Sequence, residues 1–251
     1  MKPVHKAQQI LCLASKPTIT QQLSFPFSSS SSTIASITSP KPTTQTQTLT
    51  QQDVTNINLL LPRLCLSDNL NTATHLTITA LLTNPPLHSL SLSILIHSFT
   101  SQPDMARPMS LLTRLRHHPP SHSHLTPITT MLIASYFKRK RPREALKVFN
   151  WMVRPGSPVV LDERVCGVLV CGFCRNGMVL EALNVLRAML GVNIVPGCDL
   201  RKWVYRGLLR EARIKEALEL NKALDCVGDG ESEGFRKVLA LLDHMIDSWT
   251  E

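Results

Sequence analysis

The stretch VCGFCRNGMVLEALNVLRAML, residues 170–190, decides the fold of this chain. It consists of two apolar runs with Arg175, Asn176 and Gly177 between them. Three interpretations are open: one long buried helix interrupted by a glycine, a pair of cysteines that hold a metal, or one copy of a recurring unit. The second run has helical character around Leu180–Leu183, and a search for its relatives separates the three.

The second run recurs twice along the chain. Ala182 is followed by a leucine, and the same pair returns 35 residues later at Ala217 and stands 37 residues earlier at Ala145. The residue ten positions before each alanine is small: Ser135, Gly172 and Gly207. The quoted stretch therefore holds the end of one helix, a turn at Gly177 and the next helix of a two-helix unit.

A two-helix unit of this size cannot bury its own apolar face, but stacked neighbours bury it for each other. The chain is therefore predicted to be all-α. Its expected architecture is a right-handed α-solenoid of stacked helix-turn-helix repeats of about 35 residues.

The other segments follow this pattern less closely. Residues 126–232 hold the three clear repeats, whereas residues 54–125 hold degenerate copies, in which Leu95–Phe99 resembles a first helix and Met105–Leu115 a second helix. Pro103 and Pro108 weaken the prediction of that second helix. Residues 233–251 have helical periodicity and are predicted to form a C-terminal helix that caps the stack, or half of another unit.

Residues 1–52 differ in composition from the remainder. They contain no Asp or Glu and are rich in Ser and Thr, and lysines are their charged side chains. Such a segment cannot bury enough apolar area to fold alone, so it is predicted to be disordered. Its composition is typical of organelle transit peptides, and the absence of arginine before Arg63 favours a plastid slightly over a mitochondrion. A disordered tail without a targeting role is the alternative.

The overall composition limits the class of protein. Apolar residues make up 43% of the chain and aromatic residues 5%, and a core built largely of Leu and Ala suits helices. The formal net charge of +9 favours anionic partners such as nucleic acid. Seven cysteines, an odd number, fit reduced thiols better than a disulfide framework. No apolar run reaches the roughly 18 residues of a membrane span, so no membrane partner is expected.

One unit matches a known repeat pattern over its whole length. Its residues are Leu169–Gly177, followed by Glu181–Leu183, Met189 and Pro196, and Tyr205–Arg213 begins a second good match. These units resemble the repeats of pentatricopeptide repeat proteins of plant organelles, here in a short array. The tetratricopeptide repeat is the nearest rival, but that pattern requires a small residue twelve positions before the anchoring alanine. Larger residues hold those places here: Ile133, Val170 and Tyr205.

The family resemblance implies sequence-selective binding of single-stranded RNA. One base is read per repeat by side chains on the first helices, mainly by the fifth and the last residue of each repeat. The base-reading residues that the resemblance implies are Thr130 with Asp162, Gly167 with Gly197, and Lys202. Thr with Asp resembles a pair that favours G, whereas glycine offers no side-chain hydrogen bond, so most of these pairs are poor readers.

Contact with the RNA phosphates has a separate basis. Lys138, Arg175 and Arg210 hold the same place in three successive units, near the end of the first helix. Stacked one unit apart, they would form a basic stripe that follows an RNA backbone. The alternative is that these cations complement the helix dipole. Lys138 also begins the run KRKRPR, residues 138–143, which is expected to be a solvated turn rather than a phosphate patch or a nuclear signal.

No metal, cofactor or catalytic site is expected. Cys166, Cys171 and Cys174 lack a further ligand at suitable spacing and fall on one helix, where small apolar side chains pack. A segment of loop composition contains four histidines: His117, His118, His122 and His124. The sequence contains no deaminase signature, Gly-rich phosphate loop or nucleophile elbow, so the protein is not expected to be an enzyme.

Two functions remain for such a chain. The first is an organellar protein that binds single-stranded RNA and acts in processing, stabilisation or translation of a transcript. The second is a non-enzymatic helical-repeat scaffold that binds a protein or ribonucleoprotein partner. The basic stripe favours the first function, and the weak reader pairs favour the second.

Overall fold

The computed structural model describes residues 49–83, 89–225, 227 and 232–250. Within these residues the chain forms eleven α-helices and no β-strand. The helices are α1 (Gln51–Leu66), α2 (Leu70–Leu82), α3 (Ser93–Ser101), α4 (Ala106–Arg116), α5 (His122–Lys138), α6 (Pro142–Met152), α7 (Glu163–Arg175), α8 (Val179–Gly191), α9 (Cys198–Arg210), α10 (Ile214–Asp225) and α11 (Ser232–Thr250).

The first ten helices form five hairpins, which are called units 1 to 5 below. In each unit the odd-numbered first helix packs against the even-numbered second helix that follows it. The first helices also pack against each other in chain order, α1 on α3, α3 on α5, α5 on α7 and α7 on α9. Their buried side chains join into one apolar core. The prediction of an all-α solenoid of stacked helical hairpins is therefore confirmed.

The anchoring alanines occupy equivalent places in the stack. Ala145, Ala182 and Ala217 are each the fourth residue of a second helix, and each is buried. The same place in α2 holds Ala73, which is also buried, and the backbone N–H of all four donates to the carbonyl of the residue before the helix. Unit 2 departs from this pattern, because Met109 is the fourth residue of α4. A methyl side chain allows the two helices of a unit to approach closely at this point.

The turns between paired helices also share one geometry. Gly177 has a φ of +72°, and the corresponding residues of units 1, 3 and 5 are left-handed as well, with φ between +56° and +59°: Asp68, Lys140 and Ala212. At each turn the next backbone N–H donates to a carbonyl five residues earlier, as from Met178 to Phe173 at 3.0 Å. These paired bonds satisfy the last carbonyls of the first helix. The turn predicted at Gly177 is therefore a common property of four units.

The left-handed turn residues predict opposite changes in the free energy of unfolding for substitutions at Ala212 and Gly177. A residue with a Cβ pays about 1 kcal/mol or more in this conformation, and glycine does not. We expect Ala212→Gly to raise the free energy of unfolding by about 0.5–1 kcal/mol, because part of this gain is offset by the more flexible unfolded chain. Gly177→Ala should lower it by about 1 kcal/mol. Urea titrations measure both, and a lower stability of Ala212→Gly would contradict the argument.

Two features of the N-terminal half differ from the sequence-based prediction. Helix α4 forms in spite of Pro108, because this proline is its third residue, where a helix N–H has no partner to lose. Helix α1 begins at Gln51, within the segment 1–52 that was assigned to the tail. Thr50 and Asp53 form a reciprocal capping box that fixes this start. The rest of the predicted disordered segment, residues 1–48, lies outside the described residues.

The C-terminal helix α11 packs on the second helices α8 and α10. Its buried residues are Val238, Leu242 and Met245. Arg213, the residue before α10, fixes the far end of α11, since its guanidinium lies 4.0 Å from the Trp249 ring centre and donates to the Ser248 carbonyl at 3.1 Å. This helix therefore covers the second helices of units 4 and 5.

Candidate nucleic-acid interface

The predicted phosphate-binding cations hold one position in three successive units. Lys138, Arg175 and Arg210 are the last residues of α5, α7 and α9, and all three are exposed. Because these helices pack side by side in the same register, the three cations follow one edge of the first-helix layer. We call this set of three residues the basic edge. Each cation also lies at the negative end of its helix, so it complements the dipole as well.

Arg175 is held in place by the next unit. Its guanidinium carbon lies 4.8 Å from the ring centre of Trp203 on α9, in a cation–π contact, while the side chain stays exposed. A side chain that is already ordered loses less entropy when it binds a ligand. No pattern in the sequence indicates this contact, because Trp203 stands 28 positions after Arg175 and in another unit.

An open groove of about 410 Å³ lies between α5 and α7 beside the basic edge. Phe137, Val168 and Cys171 form apolar parts of its lining, and Lys138, Lys140 and Arg175 are its charged residues. No carboxylate lines the groove. This combination of cations and apolar surface suits an anion with a flat apolar part, such as a nucleotide.

The run KRKRPR forms the turn between α5 and α6, as predicted, and its cations divide into two groups. Lys138, Lys140 and Arg143 are exposed. Arg139 donates to the Thr100 hydroxyl at 3.1 Å, and Arg141 donates to the Thr100 and Pro103 carbonyls at 2.9 and 2.8 Å. Arg141 also pairs with Glu144 at 3.1 Å. These two arginines join unit 3 to unit 2, so only the first group is available to a ligand.

Two of the implied base-reading residues already have partners in the protein. The Thr130 hydroxyl donates to the Thr126 carbonyl at 2.7 Å within α5, and the side chain is half-buried. Asp162 is exposed and precedes α7, where its carboxylate accepts the Val165 N–H at 2.7 Å. Both side chains keep further hydrogen-bonding capacity, since a hydroxyl also accepts and a carboxylate accepts several bonds.

The other three implied readers offer little to a base. Gly167 lies on α7, and a Cβ there would meet no atom within 4 Å. Gly197 precedes α9, and a Cβ there would lie 3.0 Å from the Glu163 carboxylate. Lys202 is exposed on α9, with its amine 3.4 Å from Asp199. The basic edge is thus more regular than the set of implied base readers.

The cysteines of α7 are packing residues. Cys166 and Cys174 are buried, and burial raises the pKa of each thiol to about 12, so neither forms a thiolate at neutral pH. In the part of the chain that the structure describes, no three His, Cys, Asp or Glu side chains lie close enough to hold a metal ion. None of the described helices combines the length and hydropathy of a membrane span.

Two of the four histidines from the predicted loop region lie on helix α5. His122 contacts the Arg116 carbonyl at 2.8 Å through its Nε2. His124 is buried, its Nε2 has no hydrogen-bond partner, and burial lowers its pKa below the usual 6.5. Proton uptake by His124 is therefore easier in the unfolded chain than in the folded chain.

This property of His124 predicts a pH dependence of stability. The folded pKa is lowered, so the stability contribution is present above the unfolded pKa and is lost as the pH falls below about 6.5. We expect the free energy of unfolding to fall by about 0.5–1 kcal/mol more between pH 7.5 and 5.5 than it does in His124→Phe. Urea titrations at the two pH values test this, with the exposed His75→Gln as control. Equal pH dependence in His124→Phe and the unchanged protein would contradict it.

Comparison with known proteins supports the repeat assignment. A family model of the pentatricopeptide repeat matches residues 128–156 and 164–194. The first match covers most of α5 and all of α6, and the second covers most of α7 and all of α8, so the matched segments coincide with units 3 and 4. Among curated proteins, none matches the chain.

Proposed function

We propose that the basic edge of this chain, two of whose units match the pentatricopeptide repeat, binds single-stranded RNA inside an organelle. Repeats of this type indicate helical-repeat proteins that bind RNA. The role proposed here is the stabilisation, processing or translation of an organellar transcript, with a plastid favoured over a mitochondrion. The composition of residues 1–52 supports the organellar location.

The observation that carries this proposal is the regular recurrence of Lys138, Arg175 and Arg210 at the ends of three adjacent first helices. Packed helices lie about 8–10 Å apart, so the cations recur once per repeat along the stack. An RNA strand that advances one nucleotide per repeat would present one phosphate to each cation. These three positive charges would neutralise RNA phosphates without reference to base identity.

Base selectivity is expected to be low. The pair Thr130 and Asp162 offers two polar side chains in one repeat and favours G by resemblance to the family. Gly167 and Gly197 supply none. We therefore infer that affinity comes mainly from phosphate contact and base stacking rather than from base-edge hydrogen bonds. The protein then acts by covering a transcript or by recruiting factors to it, and it does not itself catalyse a reaction.

Fluorescence anisotropy with labelled oligonucleotides tests the proposal. The full chain is titrated into a single-stranded RNA of about 20 nucleotides and into its duplex, each between about 50 and 200 mM salt. Binding should prefer the single strand and weaken as salt rises. Absence of binding to the single strand at 50 mM salt would refute the proposal. Crosslinking followed by sequencing of bound RNA from isolated plastids and mitochondria then identifies both compartment and transcript.

A scaffold function is the second candidate, and a separate observation favours it. Large apolar side chains are exposed at the C-terminal end of the stack, where no further unit covers them in the part of the chain that the structure describes. Such a surface suits a protein partner rather than RNA.

A further inference from the structure

The contact between successive units follows one rule in units 3 to 5. The first helix of a unit places a small residue against the unit before it. A Cβ on Gly172 would lie 2.4 Å from the Phe137 ring, and a Cβ on Gly207 would lie 3.2 Å from Val179 and 3.3 Å from the Cys174 sulfur. The small residue thus marks the place where the backbone of one unit approaches the side chains of the previous unit.

The last unit carries the receiving half of this contact, and none of the described helices fills it. Thirty-five residues after Cys174 and Val179 stand Leu209 and Ile214, and the same step leads from Leu183 to Leu218. The three residues of unit 4 are 1%, 3% and 0% exposed. Their counterparts Leu209, Ile214 and Leu218 are 39%, 58% and 57% exposed. We call these three counterparts the end face.

The end face continues into a groove between the two helices of unit 5. This groove has a volume of about 300 Å³, and Tyr205 and Leu218 form apolar parts of its lining. Its polar parts are Lys202, Asn221 and the ion pair of Arg201 with Asp225. On each of α9 and α10 the residues of the end face and of the groove lie on one face of the helix. Together they form a continuous surface along both helices, which we call the slot. In unit 4 the corresponding slot receives α9. The groove therefore suits one helix that presents apolar residues toward Tyr205 and Leu218 and a polar residue toward the pair of Arg201 and Asp225.

A second copy of this chain does not supply that helix by continuing the stack. In such an array α1 would be the helix offered by a second copy, since it comes first among the described helices. Ten residues before its anchoring Ala73 stands Arg63, where units 4 and 5 have glycine. An arginine at this point would prevent the close approach that Gly207 makes to unit 4. Helix α11 does not fill the slot either, because it packs on α8 and α10 and leaves the end face exposed.

We propose that the end face docks a helix of another helical-repeat protein, in the position that the first helix of a further unit would take. The partner helix presents Gly, Ala or Ser toward Leu209 and Ile214, with apolar residues one turn on either side. The contact is continuous with the interface between units 4 and 5 and repeats its geometry. It extends the array in trans and does not depend on RNA binding at the basic edge.

Photo-crosslinking in the full chain tests this proposal. The exposed Asn221, which lines the slot, is replaced by p-benzoylphenylalanine, and the control carries the same group at Val160, which is exposed on the loop before α7. After irradiation in extract of the tissue that expresses the protein, mass spectrometry identifies the crosslinked peptide. We expect a helix with Gly, Ala or Ser in a different helical-repeat protein, at a yield at least about tenfold above the control. Equal yields at both positions, a crosslink to a second copy or to RNA, or a peptide outside a helix would overturn the proposal.

A substitution provides the matched second measurement. Ile214→Lys with Leu218→Lys places two charges in the slot, and burial of an unpaired charge should weaken binding of the identified partner by at least about tenfold. Val160→Lys is the control and should change nothing. Both side chains of the end-face variant are exposed in the free protein, so its circular dichroism and melting temperature should stay unchanged. Unaltered partner binding by the folded variant would refute the proposal, whereas RNA affinity, measured separately, reports on the basic edge alone.

Discussion

Replacement of Lys138, Arg175 and Arg210 by glutamine is expected to weaken the binding of single-stranded RNA about 100-fold at 0.1 M salt. Each phosphate contact to a single strand contributes about 0.7 to the slope of log affinity against log salt. Three lost contacts reduce this slope by about 2. Extrapolated from 1 M salt, where the electrostatic contribution is small, the same difference amounts to about two powers of ten at 0.1 M. Anisotropy titrations of the triple variant across salt measure both numbers.

The matched control removes the same charge from the second helices. Arg114, Lys147 and Lys215 are exposed on α4, α6 and α10, so their replacement by glutamine lowers the net charge equally. If the basic edge binds the RNA backbone, the control variant should keep most of its affinity for RNA. It should lose only the small part that comes from long-range electrostatic attraction. Equal losses in both triple variants would show that net charge, and not the basic edge, governs binding. In the otherwise unchanged protein, Trp203→Leu should also weaken RNA binding, since it removes the contact that orders the Arg175 side chain.

The largest expected change in stability comes from Gly172→Ala. Helix propensity alone predicts a gain of up to about 1 kcal/mol, because alanine is the better helix former. The new methyl group, however, would lie 2.4 Å from the Phe137 ring, which is itself fixed by an edge contact with Phe173 at 5.2 Å between ring centres. Overpacking of this kind costs typically 1–3 kcal/mol. We expect a net loss of about 1–2 kcal/mol, and Gly172→Leu should lose more.

Gly167→Ala is the control on the same helix. A Cβ at this position meets no atom within 4 Å, so helix propensity should prevail and stabilise the protein by about 0.5–1 kcal/mol. Urea titration of both variants measures the difference in sign. Combining Gly172→Ala with Phe137→Leu should recover part of the loss, as a coupling of about 0.5–3 kcal/mol between contacting residues. Stabilisation by Gly172→Ala alone would mean that the two units do not pack closely there.

The sequence predicted the hairpins well because their signals are local. The spacing of Ala145, Ala182 and Ala217 gave the register of three units, and the structure places all three in equivalent positions. Unit 1 follows the pattern less closely in the sequence, because Ala73 holds the anchoring place but the residue ten positions earlier is Arg63 rather than a small residue. The prolines near α4 weaken the prediction of a helix there. Pro108, however, lies in the first turn of α4, where a proline interrupts no backbone hydrogen bond.

The candidate site was predictable in part. The common place of Lys138, Arg175 and Arg210 follows from the repeat length, and their edge position follows once the first helices stack. The contact of Arg175 with Trp203 joins two units, and no pattern within one repeat reveals it. The separation of KRKRPR into exposed lysines and the structural arginines Arg139 and Arg141 depends on where the end of α3 lies, which is a property of packing.

The sequence by itself determined that the chain forms paired helices in units of about 35 residues and which cations share a register. It could do so because helical periodicity and repeat spacing are encoded over a few tens of residues. Only the tertiary structure decided which left-handed residues other than Gly177 close the turns, where α11 packs, and which apolar side chains at the end of the stack stay uncovered. These features depend on contacts between units, and an amphipathic helix specifies that a face must be buried without specifying what will cover it.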